Sequence, residues 1–352
     1  MNRIVRYLTE IAFDRNRSIP ALGLMPLLWL LSCCYWIAVV VKRGLYQAGI
    51  LKIFRAPVPV FSVGNITAGG TGKTPFVVML CRMLREEGFS PMVLTRGYMA
   101  GQGGLSDEAE MLKELIGLVV FTGADRVKSF TAAYHSRGFD CVILDDGFQQ
   151  WGFARDLDIV LIDSEMPFGN GALIPRGILR ESLGSLSRAD MVVLTRSDRV
   201  PSKILAGLKS RVKGLTSRAV AAQGYHQVAG ARDVFSGEKF ALQDILGAAG
   251  AFCAIGSPES FRHSLEALGV DIKVFVPFFD HYRFTRGDAG KIVSECRALG
   301  LEKIFITHKD VMKVREIRDA FAGIKLIVID IEFILNHGKT DIISSIRRLR
   351  RS

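Results

Sequence analysis

The stretch Gly64 to Phe76 reads GNITAGGTGKTPF. Gly72, Lys73 and Thr74 match the end of the phosphate-loop pattern G-x-x-x-x-G-K-[ST], but the position of its first glycine holds Thr67. Such a loop binds phosphate through backbone N–H groups at a helix N-terminus, where the helix dipole also favours an anion. Gly69, Gly70 and Gly72 let the backbone approach closely; Thr67, Ala68 and Thr71 complete the loop. Lys73 would neutralise the β- and γ-phosphates, and the Thr74 hydroxyl would ligate Mg²⁺. Pro75 suits a first helical turn, where its missing N–H is not needed. The bland alternative is a tight glycine turn with no ligand.

Cys141 to Asp146, CVILDD, is an apolar run ending in two acids. A buried parallel strand with that ending delivers Asp145 and Asp146 to a magnesium ion at its C-terminal end. Further polar groups fall where strands should end. They are Arg96 in TRGY, Asp107 and Glu108 in SDE, Thr195–Asp198 in TRSD, and Asp280 with His281 in FFDHYRF. Acids at a helix start also serve the dipole, and an Asp–His pair also occurs in plain turns. TRSD changes both defining residues of the guanine-reading N-K-x-D, which argues against GTP.

Positioning these groups takes a sheet. Apolar strands are expected at Pro57–Val63, Met92–Thr95, Val119–Thr122, Cys141–Asp145, Ile159–Asp163 and Met191–Thr195. Helical patterns lie at Lys73–Glu87, Asp107–Ile116 and Asp125–Ser136. This alternation predicts an α/β fold with a mainly parallel, doubly wound sheet over residues 46–215. Residues 203–240 are polar and dotted with glycine and read as a linker or hairpin region, with 216–240 set between the two domains. A second alternation from Ala251 to Ile329 predicts a smaller α/β domain over 241–352, closing with a basic helix at Asp341–Arg351.

Hydrophobic residues make up 49% of the 352, enough for a large core, and the net charge of +11 favours an anionic partner. The six cysteines form no C-x-x-C and sit mostly in apolar runs, so buried reduced thiols are expected rather than zinc or disulfides. Ile19–Val41 is 23 residues without a charge. As a helix it would reach about 35 Å, enough to cross a bilayer core. Basic residues flank it on both sides, so a full span and a helix dipping into one leaflet fit equally well. A buried core helix is the alternative. Residues 1–45 are therefore read as a membrane-associated segment.

The loop, TRGY, SDEA, ILDDGFQ, PRGILRE and FFDHY occur in an order that resembles the tetraacyldisaccharide 4'-kinase family, the lipid A 4'-kinases of Gram-negative bacteria. That family's loop lacks the first glycine, so Thr67 supports the match. The resemblance covers nearly the whole chain. It implies a phosphate-loop kinase domain and a second α/β domain joined by a two-stranded linker, with the active site in the cleft between them. The implied reaction moves the γ-phosphate of ATP to the 4'-hydroxyl of an acylated glucosamine disaccharide 1-phosphate, a lipid A precursor, giving lipid IVA. ATP and Mg²⁺ are the implied cofactors, and the cytoplasmic face of the bacterial inner membrane is the implied place. Lys73 and Thr74 match the phosphate and Mg²⁺ ligands, and Asp145 and Asp146 the strand-end acids. Asp107 matches the catalytic base and His281 the histidine that assists it. Arg96, Arg126, Gln149, Arg180 and Glu181 match polar residues of the cleft, with Gln149 on the nucleotide side and Glu181 among the metal ligands. Three positions depart from the pattern: Gln150 and Tyr282, where histidines are usual, and His308, where a glutamate is usual. A monomer is expected, with no nucleic-acid partner. The competing reading is a membrane-associated ATPase or GTPase switch that needs no acceptor.

Overall fold

The computed structural model describes residues 3–16, 18–96, 107–117, 120–123, 125–134, 138–216, 220–280 and 282–351. The chain divides into two compact units. One is Met1–Tyr225 with Phe333–Ser352, the other His226–Glu332.

The first unit opens with helix α1 (Arg3–Ala12), which the sequence reading did not anticipate, and helix α2 (Ile19–Gln47). α2 takes in the uncharged segment and continues past Lys42 and Arg43. Pro20 lies in its first turn and Pro26 inside it. Ala21, Leu28 and Ser32 are buried, but Trp29 is 51% and Leu30 61% exposed, and Trp36, Ile37 and Val41 are exposed with them. A soluble core helix hides such side chains. Among the described residues this is the one helix long and apolar enough to cross a membrane.

Next come β1 (Val60–Gly64), α3 (Lys73–Glu86), β2 (Pro91–Thr95), α4 (Asp107–Ile116), β3 (Val120–Thr122), α5 (Arg126–Tyr134) and β4 (Cys141–Asp145). They are followed by β5 (Leu157–Asp163), β6 (Met191–Thr195), α6 (Ser202–Leu215) and β7 (Val220–Asp233), which carries the chain into the second unit at His226. The strands lie side by side as β3-β2-β4-β1-β5-β6-β7, every neighbouring pair parallel. β1, β2, β4 and β6 are buried throughout, which is why they read as unbroken apolar runs. The connection leaving β1 crosses β4, while the one leaving β4 crosses β1. The crevice at the C-terminal ends beside such a reversal is where an open α/β sheet binds its ligand. Val63 stands beside Asp145 in the β1–β4 register, so the glycine loop and the acid pair leave the sheet together.

The second unit holds β8 (Lys239–Phe240), β9 (Gly247–Cys253), α7 (Pro258–Leu268), β10 (Val270–Pro277), α8 (Arg286–Ala298), β11 (Lys303–Ile306) and α9 (Val311–Arg315). Then β12 (Lys325–His337) returns the chain to the first unit, which α10 (Lys339–Arg351) completes. Its parallel order is β10-β9-β11-β12.

Four sequence expectations change. Residues 202–215 are helical, not linker: Leu208 and Val212 are buried, with Leu205 and Leu215 packed beside them. The glycines at 207 and 214 had obscured that face, since glycine is a poor helix former. The stretch after it is one long strand, β7, closing on β8 in antiparallel register. The C-terminal helix belongs with the first unit, because Ile342 and Ile346 are buried in the cluster built on Phe76, Leu80 and Leu84 of α3. Two of its arginines turn to the C-terminal end of α3. Arg347 pairs with Glu87 at 2.8 Å and Arg350 lies 5.5 Å over the Phe89 ring. Cations there suit the negative end of α3. All six cysteines are free, but Cys33 and Cys34 are exposed on α2.

Candidate active site

Asn65 follows β1 and is buried. Its amide nitrogen donates to Thr71 Oγ1 at 3.1 Å, and its carbonyl accepts from Lys73 Nζ at 3.2 Å, so one side chain spans the loop. Gly69 and Gly72 have φ of 114° and 82°, conformations that L side chains rarely adopt. Thr67 needs no such freedom. It forms an antiparallel bridge with Leu179, and the Ala68 N–H donates to the Ile178 carbonyl at 2.6 Å. The loop entrance is extended chain stitched to residues 178–180, where a side chain is no obstacle. Ala68, Gly69 and Gly70 are exposed; Gly72, Lys73 and Thr74 are half-buried.

Asp145 ends β4, buried. Asp146 follows with φ of 56°, uncommon for a residue other than glycine. The turn brings its carboxylate within 3.4 Å of Lys73 Nζ and 2.8 Å of Arg180 Nη1. Burial pushes the Asp146 carboxyl up, but Lys73 and Arg180 together outweigh it and hold it at about 2. Arg126 opens α5 and is only 3% exposed. It donates to the carbonyls of Gly123 at 2.9 Å and Asp145 at 3.0 Å, and so fixes the turn between the two acids. Burial lowers its guanidinium to about 10, against the pull of Asp145 and Asp146, and it stays charged at neutral pH.

Gln149 Nε2 donates to the backbone carbonyl of Asn65 at 3.0 Å and to Glu181 Oε1 at 3.1 Å. Glu181, expected as a metal ligand, is 3% exposed and held by Arg188 through both oxygens, at 2.8 and 3.1 Å. Both of its oxygens are engaged by these neighbours. Arg188 in turn lies 4.4 Å over the Phe148 ring.

Thus Asn65, Lys73, Asp146, Gln149, Arg180 and Glu181 form one connected network, with Arg126 supporting it from behind. Arg96 stands exposed directly after β2. Asp107 is the first residue of α4, where the backbone alone is described, and His281 lies outside the described residues. Two of the three departures from the family pattern, Tyr282 and His308, have side-chain partners. Tyr282 donates to Asp288 at 3.0 Å, the acid of the capping box that starts α8. His308 Nε2 lies 2.7 Å from Arg232. Sequence reasoning missed Asn65 and Arg188. An amide directly after the strand was a signal for the first; nothing marked the second.

Among the described residues no three His, Cys, Asp or Glu side chains gather as a metal cage. Mg²⁺ at a nucleotide site needs none, because one or two carboxylates join phosphate oxygens around it. The Thr74 hydroxyl and the Asp145 and Asp146 carboxylates are hard oxygen donors at neighbouring ends of the sheet, and they fit that ion.

The family model described as tetraacyldisaccharide-1-P 4'-kinase, LpxK, matches residues 24–348. The tetraacyldisaccharide 4'-kinase of Syntrophus aciditrophicus is 37% identical over 316 residues, covering 82% of this chain and 84% of that protein. That of Anaeromyxobacter dehalogenans is 34% identical over 343 residues, covering 92% and 90%. The crystal structure of LpxK from Aquifex aeolicus in complex with ATP superposes with a TM-score of 0.71 at 26% identity, covering 93% of this chain and 98% of that one. Matched from residue 24 to residue 348 and aligned with these relatives along most of its length, the chain belongs to the tetraacyldisaccharide 4'-kinase family.

Proposed function

We propose that this chain transfers the γ-phosphate of ATP to the 4'-hydroxyl of a tetraacylated glucosamine disaccharide 1-phosphate, forming lipid IVA. The observation that carries this reading is the glycine loop beside the Asp145–Asp146 turn, at the sheet reversal, in a chain of this family.

The loop N–H groups and Lys73 bind the nucleotide phosphates. Lys73 already rests between Asn65 and Asp146, so its charge stands at the loop before nucleotide arrives. Arg180 supplies a second cation beside it, and together they neutralise charge developing on the transferred group. Thr74, Asp145 and Asp146 would hold Mg²⁺, which when bound screens the phosphate oxygens. Asp107 takes the proton of the attacking hydroxyl, assisted by His281. Glu181, tied to Gln149 and Arg188, would join the Mg²⁺ ligands from the side of the cleft, and Arg126 keeps the acid turn. Arg96, exposed at the end of β2, is left to meet the anionic acceptor.

An acceptor with four acyl chains lies in a membrane. The exposed apolar face of α2 supports docking of the chain on a bilayer, and ATP as donor supports the cytoplasmic face of the inner membrane. We read the working unit as a monomer. The switch ATPase reading has no support from the family. ATP consumption by the purified chain, measured with and without the disaccharide 1-phosphate in detergent micelles, tests the proposal. Turnover should depend on the lipid. Equal turnover in its absence would favour a switch ATPase.

A further inference from the structure

The TRSD motif follows β6 and has no part in the reading above. Its first two residues reach the glycine loop. Buried Thr195 donates through Oγ1 to the Thr71 carbonyl at 3.1 Å. Buried Arg196 donates through Nη2 to the Gly70 carbonyl at 2.8 Å. Its Nη1 is bound by Asp163 at the end of β5, and Glu165 lies 3.8 Å from its Nε. Arg196 has φ of 54°. A non-glycine residue keeps such a conformation only where its surroundings over-determine it, and such residues cluster at functional sites.

A trans peptide unit carries its N–H opposite its carbonyl. With the carbonyls of Gly70 and Thr71 turned toward Arg196 and Thr195, the N–H groups of Thr71 and Gly72 point the other way. A carbonyl rotated inward would set a partial negative charge against a phosphate. The glycines of the loop lack the side chains that would resist that rotation. The restraint has to come from outside the loop, and these two hydrogen bonds supply it.

We propose that Thr195 and Arg196 are positioning residues for the nucleotide phosphates, locking two peptide units of the loop with their N–H groups toward the anion. The proposal rests on the phosphate-loop reading. It assigns the motif to the phosphate end of the nucleotide rather than to the base.

Thr195→Val removes the hydroxyl at nearly constant volume. Mg-ATP is titrated calorimetrically into the full chain in detergent. The Kd should rise ~5–20-fold, as expected for losing a buried hydrogen bond that orients the loop. KM for the disaccharide should stay put, Tm should hold within a few degrees, and Thr195→Ser should restore the parent Kd. If valine cannot be accommodated, Thr195→Ala is read in the same way. A folded variant that lacks the hydroxyl yet keeps the parent Kd overturns the proposal. So does a loss that serine fails to restore, since shape rather than the hydroxyl would then be responsible. Lys73→Ala separates the proposal from its foundation. If that variant binds Mg-ATP as the parent does, the phosphate-loop reading itself fails. If it is impaired while Thr195→Val is not, only the proposal fails.

Discussion

Asp146 sits between two cations, 3.4 Å from Lys73 and 2.8 Å from Arg180, and its carboxyl is held at about 2. An unfolded aspartate titrates near ~3.9. A depressed folded value contributes stability above the unfolded value, and that contribution is lost as pH falls toward the folded one. We therefore expect Asp146→Asn to lose at most ~2.5 kcal/mol at pH 7, a loss that shrinks from pH ~4 to pH ~2. Chemical denaturation of both proteins across that range checks it, and a pH-independent difference would contradict the ion-pair account. Lys73→Ala should cut phosphoryl transfer by at least ~10²-fold, the scale of losing a main electrostatic contact to the transferred group. Asp107 poses a sharper question because it also starts a helix. Asparagine caps a helix about as well as aspartate, so in a capping role Asp107→Asn would leave turnover alone. As a base its loss should lower kcat ~10²–10⁴-fold with nucleotide Kd near the parent value. His281→Ala should lose less, and the double variant should fall short of additivity. Steady-state kinetics of the three proteins decide it; a near-normal kcat for Asp107→Asn returns that residue to the helix start.

At the scale of an element, the apolar helix α2 also braces the segment that carries Arg180. Ser32 donates to the Leu173 carbonyl at 2.9 Å and accepts from the Arg176 N–H at 3.1 Å. Tyr35 donates to the Arg180 carbonyl at 2.9 Å. Arg176 reaches back to Asp14 and to the Ile11 carbonyl, which ties α1 into the same joint. The segment held this way also stitches the loop entrance and carries Arg180 to Asp146. Tyr35→Phe should therefore lower kcat ~3–10-fold, the effect of one hydrogen bond passed to the site, with membrane partition unchanged. Unchanged kcat would make this contact a packing detail. The sequence displayed the segment's length and lack of charge, but hydropathy does not show that Ser32 and Tyr35, three apart, share a helical face. The parallel strands were legible because burial on both sides leaves unbroken apolar runs such as CVIL. α6 was not, because two glycines interrupt its pattern, and α10 was misassigned because its arginines outweighed the isoleucines that seat it. In the site, residues within recognisable motifs were legible. Asn65, Arg188 and the loop-facing side of Thr195–Arg196 were not, because their part comes from contacts across the sheet rather than from spacing.

For the whole molecule, an exposed apolar helix and a net charge of +11 point to one anionic surface, the membrane that holds an acylated phosphosugar. Deleting residues 1–41 should release only part of the protein from membranes, since the basic surface remains, and should lower activity most on lipid presented in bilayers. Because the deletion also removes Ser32 and Tyr35, some loss should persist in micelles. Fractionation and assays in both lipid forms check this; a truncated protein wholly on membranes with full activity would contradict the role given to α2. The claim on which everything else depends is where the phosphate goes. Purified protein should be given Mg-ATP and the tetraacyldisaccharide 1-phosphate, and the lipid product located by fragmentation mass spectrometry. The account predicts one added phosphate on the 4'-oxygen, with one ADP formed for each. ADP released without phosphorylated lipid, or a phosphate on any other oxygen, would contradict it.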